Sequence, residues 1–284
     1  FKKDKKDVVV YFQPSATARK LCVKHLNDTV DLNQLYSPQV LTDDVLKLLE
    51  PIVAEKFTYG DELDQEELGN IITETVDDVT EMIIASVVPA VQPKLINLAS
   101  RGFGIVPQVV GDSGIDLGID IHIDRPDQAG ADRLVNAVAA RDFHDLPAII
   151  LDFGTATTFD LIGKGGAYQG GIIAPGVNLS VEALYMAAAR LPRLAVEPWA
   201  SDMPVLGKDT VSAMHSGIFW GYVSMVEGLI ERLRRDHGKD LPAIATGGLA
   251  PLFAEHVKAI SIVDPDLTLK GLVRIHAQNK TEPK

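Results

Sequence analysis

Apolar residues along the chain fall into two patterns: short continuous runs, and longer stretches at helical spacing. Val8–Phe12 is β-branched and aromatic and predicts a strand. From Thr42 to Phe57 the residues Val45, Leu46, Leu48, Leu49, Ile52 and Val53 repeat with a helical period, with Thr42 as N-cap and Pro51 as a kink. The acidic stretch 61–80 predicts a short surface helix. Met82–Val88 is a continuous apolar run stopped by Pro89, as in a strand buried on both faces. A helix over about 92–101 follows, then strands near 105–110 and 119–123, the second closed by the turn residues Asp124–Asp127. Residues 131–141 are strong helix formers. Ala148–Asp152 then leads into a Gly- and Thr-rich hairpin over 152–162, and a second strand pair runs to Pro175-Gly176. Helices are predicted over 180–190 and 210–237. A strand at 243–246 reaches Gly247-Gly248, another helix follows, and a last element begins at Leu267. Strands alternating with helices predict an α/β protein with mixed sheets covered by helices. No sequence repeat of 20–50 residues is visible.

Composition narrows the function. The 284 residues, 46% of them hydrophobic, suffice for one large or two medium cores. A net charge of -12 argues against general nucleic-acid binding, which needs a basic face. Any anionic substrate must be drawn in by a local positive patch instead. Cys22 is the sole cysteine, so no intrachain disulfide forms, and a reducing compartment fits. No apolar run reaches the roughly 18 residues of a membrane helix. The charged opening Phe1–Asp7 lacks a signal-peptide core and reads as a solvated terminus. A soluble, cytoplasmic protein is expected.

Three stretches carry candidate chemistry. In Asp152-Phe153-Gly154-Thr155-Ala156-Thr157-Thr158-Phe159-Asp160 an apolar strand delivers a carboxylate at its end, and Gly154 allows a sharp turn. The threonines then offer hydroxyls beside exposed amides. Such a turn suits a polyphosphate, and the carboxylate suits its accompanying cation. An ordinary hairpin with Thr chosen for β propensity is the alternative. Gly130-Ala131-Asp132-Arg133 opens a helix, so Asp132 can be a simple cap. Equally, it can accept a hydroxyl proton while Arg133 grips a carboxylate or phosphate and Gly130 permits close approach. Thr246-Gly247-Gly248 joins a strand to a helix, and its glycines either let a nucleotide lie against backbone or only make the turn. Phosphate-loop, dinucleotide, zinc-protease and nucleophile-elbow motifs are all missing.

IIASVVP (83–89), GADRLVNAVAA (130–140), DFGTATTFD (152–160), GGIIAPG (170–176), AARLP (188–192), GKDTVSAMHSGIFWGY (207–222), TGGLAPLF (246–253) and DPDLTLKGL (264–272) resemble, in order and spacing, type III pantothenate kinases. The resemblance covers about residues 81–276. It implies the acetate/sugar kinase–actin (ribonuclease H-like) fold, two similar α/β halves with ATP in the cleft between them. The halves expected are 1–147 and 148–284, with 1–80 atypical for the family. It further implies transfer of the ATP γ-phosphate to pantothenate, the first step of coenzyme A biosynthesis, by a homodimer. By analogy Asp132 is the general base, and Gly130, Ala131, Arg133 and Thr210 bind pantothenate, Thr210 from the partner subunit. Asp152 holds a monovalent cation, K+ or NH4+. Gly154 and Thr155 meet the phosphates of ATP, which arrives with Mg2+, and Gly247 and Gly248 lie near adenosine.

Two departures stand out. Family members open with a strand and an Asp-x-Gly-Asn-Thr phosphate loop; after Val8–Phe12 this chain has Gln13-Pro14-Ser15-Ala16-Thr17, with neither carboxylate nor glycine. Ile123 stands where many members place a tyrosine. The missing loop motivates a second reading, a member without catalysis that acts as a regulatory or binding protein.

Overall fold

The apolar runs assemble into two sheets. In a computed structural model of the chain, the residues described are 6–14, 19–27, 79–87, 92–187 and 191–280. Two compact units result. The first comprises Phe1–Gly118, Asp127–Phe143 and Thr268–Lys284; the second comprises Ile119–Pro126 and His144–Leu267.

In the first unit, β1 (Lys6–Pro14) pairs antiparallel with β2 (Arg19–Asn27) and parallel with β3 (Val79–Ala85), which pairs parallel with the two-residue β4 (Gln108–Val109). The sheet order is β2-β1-β3-β4. Met82, Ile83 and Ile84 are buried, as a continuous apolar run requires. Between β3 and β4 lie α1 (Gln92–Asn97) and a π-helical turn at Leu98–Gly102. Helix α2 (Ala131–Phe143) packs beside α6 (Leu267–Gln278). A Cβ on Gly271 would lie 2.8 Å from Val135 Cγ1 and 2.9 Å from the Val135 carbonyl carbon, so only glycine allows this approach. Thr268 Oγ1 donates to the buried Asn136 Oδ1 at 2.7 Å and fixes the register of the two helices. Buried His276 of α6 meets Gln108 Oε1 and Glu81 Oε2, each at 3.0 Å, and ties that helix to the sheet.

In the second unit, β5 (Ala148–Phe153), β6 (Ala156–Ile162) and β7 (Tyr168–Pro175) form an antiparallel meander. On its other side β5 pairs parallel with β8 (Ala243–Thr246), and β8 with β9 (Ile262–Val263). The order is β7-β6-β5-β8-β9. The plan of the first sheet is thus repeated: a hairpin whose first strand is flanked by a parallel strand and then a short parallel edge. Among the described residues the second sheet has in addition an outer antiparallel strand. Duplication is legible in the topology and not in the residues.

One face of this sheet is apolar. Leu151, Phe153, Phe159 and Ala245 pack with Phe219 and Tyr222 of α4 (Thr210–His237) and Phe253 of α5 (Ala250–Ala254). Helix α3 (Val177–Ala187) follows β7 directly. Helix α4 is capped at both ends. Asp209 accepts from the Ser212 amide at 2.9 Å, and its own amide donates to Ser212 Oγ at 3.2 Å. At the other end Gly238 stops the helix, and Arg234 donates to the carbonyls of Leu241 and Ala259 at 2.9 Å each.

Several sequence expectations are revised. Helix α3 begins at Val177, three residues before the predicted 180–190, and the Ser180 hydroxyl donates back to the Gly176 carbonyl at 3.0 Å from within it. The strand expected at 119–123 is a single bridge, Ile121 with Tyr168. The strand expected over 105–110 contracts to Gln108–Val109. Strand β2 has no counterpart in the sequence reading, since Arg19–Asn27 mixes charged and apolar residues without strict alternation. The helix expected over 42–57, and most of the stretch 61–80, lie outside the described residues. Among the described residues no helix is long and apolar enough to cross a membrane.

Candidate active site

The second unit places Asp152 at the carboxyl end of a strand with every residue buried. Leu151 and Phe153 take the apolar face, so alternation puts Asp152 on the opposite face, 5% exposed. Gly154 and Thr155 then make a two-residue connection to β6, and Thr155 is exposed at its tip. A buried carboxylate therefore sits beneath an exposed hydroxyl-bearing turn. Two glycines from elsewhere hold this turn. A Cβ on Gly176, at the end of β7, would lie 2.7 Å from the Thr155 carbonyl carbon and 2.9 Å from the Gly154 oxygen. A Cβ on Gly247 would lie 2.6 Å from Asp152 Oδ1 and 2.7 Å from the Phe153 amide nitrogen. Gly247 also has φ +90°, a conformation that side chains resist. The structure thus brings Asp152, Gly154, Thr155 and Gly247 together, with Gly248 next in the chain.

The face that carries Asp152 is polar across three strands. Thr158 of β6 and Thr246 of β8 are its in-register partners. Thr158 Oγ1 donates to Asp160 Oδ2 at 3.1 Å, and the Tyr168 hydroxyl donates to Asp160 Oδ1 at 2.9 Å. Thr246 is 1% exposed, and among the described residues its hydroxyl has no hydrogen-bond partner. On the opposite face Thr157 hydrogen-bonds the Tyr222 hydroxyl. Burial holds that phenol in its neutral form and drives its pKa above the usual range, a backbone contact at Val177 opposing this in part.

In the first unit, Gly130–Arg133 opens α2, all four residues half-buried. Leu134 donates to the Gly130 carbonyl at 3.2 Å, and Asp132 Oδ1 accepts from the Arg133 amide at 2.8 Å. A Cβ on Gly130 would stand 2.6 Å from Asp132 Oδ1. Gly130 therefore leaves the carboxylate room to be approached. Thr210 is the exposed first residue of α4 in the second unit, where the Asp209–Ser212 cap fixes its position. The Asp209 carboxyl is held below the ordinary carboxylate range, chiefly by the Ser212 amide and then by the Ser212 hydroxyl. Gly176 and Thr246 were absent from the sequence-derived site. Thr246 stood beside the chosen glycines, but its pairing with Asp152 is set by strand register, which the sequence does not display.

Among the described residues the second unit is thus an α/β structure: an antiparallel meander flanked by two parallel strands and covered by helices, with a buried carboxylate and a glycine turn where its first strand ends. A crystal structure from Campylobacter jejuni, described as a conserved Baf family transcriptional activator, shares the fold, with TM-score 0.53 at 15% identity over 96% of this chain and 98% of that one. Residues 45–232 match the type III pantothenate kinase family, and the chain belongs to that family. Its similarity to the type III pantothenate kinase of Paramagnetospirillum magneticum is 55% identity over 204 residues, 72% of this chain and 77% of that protein. For that of Rhodospirillum rubrum it is 54% over 205 residues, 72% and 79%. The activity is transfer of the γ-phosphate of ATP, with a divalent metal, to the hydroxyl of pantothenate, giving 4'-phosphopantothenate for coenzyme A biosynthesis.

Proposed function

We propose that this phosphorylation is carried by two constellations, one on each unit. In the first, Asp132 is the general base that takes the proton from the pantothenate hydroxyl, and Gly130, Ala131 and Arg133 bind pantothenate around it. In the second, Gly154 and Thr155 contact the phosphates of Mg2+-bound ATP, Gly247 and Gly248 lie along its adenosine, and Asp152 holds a monovalent cation, K+ or NH4+. The cation, when bound, neutralises developing phosphate charge. The observation that carries this reading is the buried Asp152 carboxylate with the Gly247 backbone pressed against it, beneath the exposed Thr155 turn. The donor set fits a monovalent ion. The residues of an N-terminal half, 1–147, and of a C-terminal half, 148–284, would divide pantothenate and nucleotide recognition between them, with Thr210 as the exception.

Thr210 acts from the partner of a homodimer. Support comes from α3, which leaves Leu179, Leu184, Tyr185 and Met186 exposed, and from Val211 beside Thr210, 50% exposed. Operation in the cytoplasm, where ATP is available, accords with the lone cysteine.

Asp132→Asn keeps the shape and removes the base. The expected result is a fall in kcat of about 10²–10⁴-fold in ATP-dependent phosphorylation of pantothenate, with the melting temperature unchanged. A folded Asp132→Asn enzyme turning over at the wild-type rate would dismiss Asp132 as the base.

A further inference from the structure

The geometry points to Thr246 as a second ligand of the monovalent cation assigned above to Asp152, an inference that rests on that assignment. Thr246 is the parallel, in-register neighbour of Asp152. Residues paired in this way project to the same side of a sheet, with their strands about 4.8 Å apart. The preceding residues, Leu151 and Ala245, both enter the apolar core, so Thr246 and Asp152 both face away from it. Thr246 is 1% exposed and its hydroxyl finds no hydrogen-bond partner among the described residues. Burying a hydroxyl without a partner destabilises the fold. A threonine chosen only for β propensity could be valine at no such cost.

The neighbouring residues sharpen the contrast. On the other side of Asp152, Thr158 is equally in register, but its hydroxyl already donates to Asp160. Of the two threonines flanking the carboxylate, Thr246 alone has an uncommitted hydroxyl oxygen. The chain then turns at Gly247 with φ +90°, and a Cβ there would stand 2.6 Å from Asp152 Oδ1. Only a glycine fits there, so it is backbone and not a side chain that stands against the carboxylate beside Thr246. One carboxylate, one neutral hydroxyl and a close backbone make a hard-oxygen site of low charge. Singly charged and neutral oxygens of this kind can hold K+ or NH4+.

Thermal unfolding of the full-length protein tests this without reference to turnover. The melting temperature is followed while KCl replaces choline chloride at constant ionic strength, for the wild type, Thr246→Val, Thr246→Ser and Asp152→Asn. A ligand that binds only the folded state raises the melting temperature with its concentration. The wild type and Thr246→Ser should show a K+-dependent rise. Asp152→Asn should show none. Thr246→Val should need roughly tenfold more K+ for the half-maximal rise, while being no less stable than wild type in choline. Wild-type K+ dependence in Thr246→Val, with Asp152→Asn unresponsive, would overturn the role of Thr246 and leave Asp152 standing. No K+ effect on the wild type, or an undiminished one in Asp152→Asn, would remove the cation assignment and this inference with it.

Discussion

Gly176 offers a test of whether the Thr155 turn is positioned as catalysis needs. It lies at the end of β7, its φ is ordinary, and a methyl group there would meet only the backbone of Gly154 and Thr155. The nearest separations from such a Cβ include 2.7 Å to the Thr155 carbonyl carbon. Unstrained carbon atoms approach to about 3.5 Å, so Gly176→Ala must push the turn away by at least about 0.8 Å, and by more at the still closer Thr155 carbonyl oxygen. Side-chain rotation cannot relieve this, because the opposing atoms are backbone. Two consequences follow at different scales. Overpacking of this kind destabilises by about 1–3 kcal/mol. A displacement near 1 Å in a positioning element costs on the order of 10²-fold in rate. The expected kcat/KM for ATP is therefore about 10–100-fold below wild type, with a melting temperature lower by several degrees. Gly165→Ala is the control: a Cβ there meets nothing within 4 Å, and its effect should be negligible. Steady-state kinetics and thermal unfolding of the three proteins decide the matter. Wild-type kcat/KM and stability in Gly176→Ala would refute the claim that this contact sets the turn.

Two further outcomes follow from the core of the second unit. Phe253 is fully buried, stacked on Phe153 at 5.7 Å and on Phe219 at 5.4 Å between ring centroids; Phe253→Ala should cost about 3–5 kcal/mol in denaturant unfolding, and a cost below 1 kcal/mol would contradict this packing. Tyr222 has its pKa raised by burial, so its contribution to stability is complete below the unfolded value of about 10 and is lost as pH rises through the folded value. Wild-type stability should thus decline above pH 10 more steeply than that of Tyr222→Phe, measured by urea unfolding at successive pH values; parallel declines would show that the phenol does not ionise on unfolding.

How much of this was legible beforehand depended on whether local pattern or distant register decided each feature. Ala148–Phe153 was readable because an apolar run ending in Asp-Phe-Gly can do little but deliver its carboxylate at a turn. The start of α2 at Gly130–Arg133 was equally local, and so was the long α4, with its Asp209 cap and its terminal glycine. Strand β2 was not readable, since its stability comes from pairing with β1 along nine positions and not from any alternation of its own. Helix α3 starts three residues before the stretch predicted at 180–190, because Val177-Asn178-Leu179 carries no start signal of its own and follows directly on β7. The site divides in the same way. Asp152, Thr155 and the glycine pair announce themselves by type and spacing, whereas Thr246 matters only because ninety-odd residues later in the chain the parallel pairing of β8 sets it beside Asp152. Had the register slipped by one residue, Ala245 would stand there and Thr246 would enter the apolar core. A hydroxyl in that core would be as costly as the unsatisfied one now observed, with no carboxylate beside it. The pairing observed is the one in which burying that hydroxyl can be offset by a ligand.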